Sequence, residues 1–155
     1  MIVPQHISRK AFYSAQFLLV GSAAAFYYCY YVLSFLLFCL YSTTMLHWNK
    51  VMRISFIKVA DIAMAFTVMM HISFVDSMHF APGYRSIWAS SVLVSSCAFI
   101  VNEIVFYYQL KRDGEREWVY LRSTYTHMFF LHAVPPLTCW YCVHMSNAYN
   151  NICLL

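Results

Sequence analysis

The sequence has 155 residues, 62% of them hydrophobic and 19% aromatic, with 10% charged residues and a net charge of +4. A soluble domain carries roughly 25% charged residues, and a chain this short cannot hide so much apolar surface in a single core, so much of that surface must face lipid. The ten Lys and Arg are spread among loops, which excludes a nucleic-acid footprint and leaves lipids and other membrane subunits as the expected partners. The composition therefore predicts an all-α integral membrane protein, a single polytopic domain over 1–155 with no separate soluble module.

Taken in order, MIVPQHISRK is a polar lead, and the apolar run that follows, 11–41, contains Gln16 but no charge. At 1.5 Å per residue it would extend about 45 Å, longer than a ~30 Å hydrocarbon core, so a single helix there must tilt or protrude. The run continues well past the small residues of GSAAA, which predicts a retained anchor rather than a cleaved signal peptide. A second span, 54–78, includes Lys58, Asp61, His71 and Asp76, and Pro82-Gly83 punctuates the turn after it. The third span is 86–110, followed by the hydrophilic loop KRDGERE (111–117). The fourth, 122–145, carries Pro135-Pro136 and should kink there, because proline lacks a backbone donor and crowds the preceding turn. Gly21 with Ala25, and Ser91 with Ser95, are small i,i+4 pairs that would let helix backbones approach.

Four helices would put both termini on one side. Arg9, Lys10 and Arg85 then share that side, against Lys50, Arg53, Lys58, Lys111, Arg112, Arg116 and Arg122 on the other. The positive-inside rule places the two basic loops inside and both termini outside.

The stretch 42–61, STTMLHWNKVMRISFIKVAD, is the polar joint between the first two spans. Laid side by side, the four helices bring His47, Asp61, Asn102, Glu103, His127 and His132 to similar depth near the inner leaflet, with His71 and Asp76 toward the opposite face. Ionisable groups inside a membrane are costly and usually face the bundle interior, paired with one another. Taken singly, Lys58 and Asp61 could neutralise each other at i,i+3, and His47-Trp48 could be an interfacial anchor. Three histidines beside a carboxylate are the ligand types of catalytic zinc. On a regular α-helix, however, His127 and His132 would stand about 140° apart. Cys139-Trp-Tyr-Cys142-Val-His144 reads as core cysteines in an apolar helix, and the six cysteines as small hydrophobes rather than a disulfide framework.

S-T-T-M-L-H, the Asp61 that follows a basic linker, and T-H-M-F-F-L-H-A-V together resemble the first and last motifs of the haemolysin III, progestin/adiponectin-receptor and alkaline ceramidase (CREST) superfamily. The resemblance implies Thr43 in the place of a serine, His47, His127 and His132 as zinc ligands, and Asp61 as the residue that positions water. The last two histidines are separated by four residues where the superfamily has three, and the superfamily fold has seven helices.

Three functions follow as expectations. The first is a structural or accessory subunit of a larger membrane complex, plausibly a respiratory or ATP-synthase assembly of the mitochondrial inner membrane, with no cofactor. The second is a CREST-like zinc-dependent membrane amidase or lipid hydrolase, with His47, His127 and His132 on the metal and Asp61 catalytic. The third is a haem- or quinone-handling electron-transfer subunit.

Overall fold

Long apolar runs without Gly or Pro satisfy their backbone groups within themselves only as helices, and that is how this chain folds. A computed structural model describes residues 3–49 and 56–150, the last four by backbone alone; Lys50, Arg53, the first residues of the second expected span (54–55) and Cys153 lie outside the described residues. In chain order the elements are α1 (Gln5–Ser14), α2 (Gln16–Tyr27), α3 (Tyr31–Asn49), α4 (Phe56–Phe74), a 3₁₀ turn (Asp76–His79), α5 (Pro82–Asp113), α6 (Glu117–His127), a π-helix (Met128–Ala133) and α7 (Val134–Asn150). Among the described residues, three segments are long and apolar enough to cross a membrane: Tyr31–Asn49, Phe56–His79 and Pro82–Asp113. α5 starts with Pro82 at its first turn, where a missing N–H costs nothing, and stops at Gly114, whose φ of 71° suits glycine.

The largest departure from the sequence-based expectation lies in the first apolar run. The span expected over 11–41 is not one tilted helix. Tyr30 N–H reaches back to Ala25 O and Cys29 N–H to Phe26 O, with Cys29 at φ 65°. This is the Schellman pattern of helix termination, with a cysteine in the left-handed position that glycine usually takes. The chain then folds back, and α2 and α3 pack along each other. Ser22 Oγ donates to Ser34 O at 2.8 Å, and Ser34 Oγ returns a bond to Ser22 O at 2.9 Å. Gly21 faces α3 beside Leu37, as the small-residue pair Gly21 and Ala25 predicted. Cys29 is disulfide-bonded, whereas Cys39, Cys97, Cys139 and Cys142 are free.

The fold-back changes where the termini lie. His6 Nε2 is 2.8 Å from Glu117 Oε1 and Lys10 donates to Tyr125 at 2.7 Å, so the start of α1 sits at the KRDGERE end of the bundle. Tyr28 bonds His144 and Ala81 N–H reaches Ser146, so α7 runs to the other end. Among the described residues, the start of α1 and the end of α7 therefore lie at opposite ends of the bundle.

The kink expected at Pro135-Pro136 takes the form of a π-helix just upstream. Pro135 and Pro136 cannot donate to the carbonyls of Leu131 and His132 and crowd them; one extra residue in the turn opens the space. α4 packs chiefly on α3 and scarcely on α5. The gap this leaves, closed by α2, the π-helix and α7, is the cavity described next.

Candidate functional site in the bundle interior

A cavity of about 310 Å³ runs between the helices. Most of its wall is apolar: Leu33 and Leu37 from α3, Phe66 and Ile72 from α4, Trp88 from α5, Val143 from α7. Its polar wall is concentrated in Thr44, Asp61, His127 and His132, supplied by α3, α4, the end of α6 and the π-helix.

Asp61 is held from α3. Its Oδ1 accepts from Thr44 Oγ1 at 2.6 Å; Thr43 Oγ1 lies 3.2 Å away and shares its one hydrogen with Leu40 O at 3.0 Å. Because Thr43 and Thr44 precede His47 by one turn, the same helix face that carries His47 carries the carboxylate's donors. His47 itself is 8% exposed, and its Nδ1 has no hydrogen-bond partner among the described residues.

His127 and His132 are adjacent, with ring centroids 5.1 Å apart. A hydrogen bond from residue i to i+5 is the π-helical repeat, so five residues bring the chain back to the same face where an α-helix would overshoot. The separation that spreads two imidazoles on an α-helix is the one that aligns them here. Trp48 links this pair to His47, with centroids 5.2 Å from His47, 5.4 Å from His127 and 6.5 Å from His132. The three histidines thus surround an indole. Among the described residues no three His, Cys, Asp or Glu side chains are grouped to hold one metal ion.

The remaining expected members part company. Asn102 is buried and donates to Ser123 Oγ at 3.1 Å, tying α5 to α6, while Glu103 is exposed and does not join the cluster. One helical step decides this: Asn102 faces α6, so Glu103 must face outward. His71 and Asp76 pair at 3.5 Å near the far end of the cavity, on the opposite side as expected. Cys139 and Cys142 are buried, and His144 stacks on Trp140. Sequence reasoning missed Thr44, Trp48 as a ring shared by three histidines, and Ser14, whose Oγ lies 2.7 Å from His132 Nδ1. Only the threonines carried a signal, as the residues one turn ahead of His47.

Compared with family models, with curated proteins and with solved structures, the chain matches none.

Proposed function

We propose that the chain is a multi-pass membrane protein that takes an acyl-chain lipid into its interior and hydrolyses an amide or ester bond at the Asp61–His127–His132 end of the cavity. The observation that carries this reading is the cavity itself: an apolar chamber whose polar wall gathers a carboxylate and two imidazoles from separate helices. Apolar walls suit an acyl chain, and a few convergent polar groups fix the end that reacts. Hydrolysis needs a base for the attacking water and an acid for the leaving nitrogen or oxygen. Two neighbouring imidazoles supply that pair, one accepting a proton while the other returns one. Asp61, held by Thr44 on the same cavity wall, adds the carboxylate of the polar end.

The residues are those that the CREST resemblance singles out, and the π-helix accommodates the one spacing that departs from it. Three imidazoles and a carboxylate are a zinc-type donor set, and a bound zinc ion would supply an acidified water. As they stand the side chains do not converge on one point, so the steps above are assigned to the residues alone. Metal analysis of purified protein separates the cases. One zinc per chain favours the superfamily chemistry, a Soret band favours the haem reading, and fatty-acid release with neither leaves acid–base hydrolysis.

Orientation follows from the fold-back. Among the described residues, Arg9, Lys10, Lys58, Lys111, Arg112, Arg116 and Arg122 lie on helices or loops at one end of the bundle, leaving Arg85 for the other. We place the more basic end inside. Cys29, disulfide-bonded at the opposite end, then faces an oxidising compartment.

An accessory subunit of a larger assembly, such as one in the mitochondrial inner membrane, is the second reading. Its support is the uncovered apolar flank of α4 and α5, where Phe56, Phe66, Tyr107 and Tyr108 are all more than half exposed. Purification in mild detergent tests it: a stoichiometric protein partner would favour the subunit, and a chain that purifies alone and releases fatty acid would favour the hydrolase.

A further inference from the structure

We infer that Ser14, on a helix that carries none of the motif residues, holds His132 in the Nδ1-protonated tautomer and so leaves Nε2 as a bare base at the cavity wall. Its consequence for catalysis rests on the hydrolase reading; its physical content does not.

α1 lies against α6 and the π-helix through a stripe of polar residues four apart. His6 meets Glu117 at 2.8 Å, Lys10 meets Tyr125 at 2.7 Å, and Ser14 meets His132 at 2.7 Å. Positions i, i+4 and i+8 share one helix face, so the register that makes the first two contacts also delivers the third. Ser14 is the last residue of α1, with Ala15 alone between it and the start of α2.

The hydroxyl has one hydrogen to give. Ser14 Oγ lies 2.8 Å from Ala11 O and donates to it, the local back-bond that serine commonly makes within a helix. Assigning that hydrogen to Ala11 O leaves Ser14 Oγ to accept from His132 and puts the imidazole hydrogen on Nδ1. His132 is 6% exposed and lines the cavity. Its second nitrogen, Nε2, is then unprotonated and able to take a proton from water. A hydrogen bond to one ring nitrogen decides what the other can do, and partners of this outer kind typically change activity by about 10–100-fold. Ser14 is a positioning residue, acting through His132.

The test is nitrogen-15 NMR of histidine-labelled protein in lipid nanodiscs, with His132 assigned by its loss in His132→Gln. The wild type and Ser14→Thr, which keeps the hydroxyl, should show His132 protonated on Nδ1. Ser14→Ala should shift the proton toward Nε2 and lower kcat about ten-fold. A wild-type His132 protonated on Nε2, or a tautomer unchanged in Ser14→Ala, overturns the inference. The wild-type spectrum alone decides if the alanine variant does not fold. Absence of hydrolysis in the wild type would remove the hydrolase reading and leave the tautomer result standing.

Discussion

His127 and His132 stand with ring centroids 5.1 Å apart although they are five positions apart in the chain, because the backbone between them, Met128–Ala133, is π-helical. An α-helix would bring residues four apart onto one face, and the π-helix does the same for residues five apart. The two prolines that follow reinforce the wider turn, since neither can make the α-helical bond that would tighten it.

Removing one residue from this segment should therefore be tolerated where adding one is not. Deleting Phe129, whose side chain is 59% exposed, turns the π-helix into an α-helix and leaves the histidines four apart on one face. We expect that variant to melt earlier, because the two prolines again crowd the carbonyls before them, but to keep lipid hydrolysis within about ten-fold of wild type. Inserting an alanine there should lower the rate by 100-fold or more, the order expected when one acid–base partner is lost. Equal loss in both variants would show that the π-helix does not align the pair.

Asp61 gives a separable pair of outcomes. Asp61→Asn keeps an oxygen for Thr43 and Thr44 but removes the charge, so thermal stability should hold while hydrolysis falls by about 100-fold or more. Thr44→Val removes the 2.6 Å bond, and losing a hydrogen bond to a charged group costs about 1.5–3 kcal/mol. That variant should melt earlier, and denaturation in detergent micelles checks it.

The reciprocal serines of the α2–α3 hairpin should be coupled. Interhelical hydrogen bonds in membrane bundles contribute about 0.6 kcal/mol on average and up to about 1.7. Ser22→Ala and Ser34→Ala should each destabilise by about that amount. The double variant should cost less than the two together, because either substitution already removes part of the shared pair. Strict additivity in a double-mutant cycle would mean that the two hydroxyls act independently.

Much of the polar cluster was legible in the sequence, for a physical reason. A charged or imidazole side chain in an apolar run has few places to go, so Asp61, His127 and His132 pointed to the interior before any coordinates. Equal depth on antiparallel helices brought them near His47. Glu103 failed the same logic because depth says nothing about direction around a helix. The hairpin at 28–30 was illegible: its left-handed residue is Cys29 rather than glycine, and no proline marks the turn. The one available hint was length, since a run of about 45 Å can fold back as well as tilt. Ser14 left no trace, because its role exists only once α1 lies along α6.

The topology that results is checkable on its own. Residues at the N-terminus and in KRDGERE should be labelled from one face of a sealed vesicle, and the C-terminal end of α7 from the other. Labelling of both chain ends from the same face would restore the single long span and remove the hairpin.

The decisive experiment is fatty-acid release, measured by mass spectrometry, from a long-chain N-acyl lipid amide and a monoacyl ester incubated with purified protein in nanodiscs. Wild-type protein should release fatty acid from at least one of the two, with turnover reduced at least 100-fold in His127→Ala and in Asp61→Asn. It should also be blocked by Ala65→Phe, which fills the chamber beside the site while leaving both residues in place. Wild-type release no greater than that of Asp61→Asn on both substrates would mean that the cavity is not a hydrolytic site.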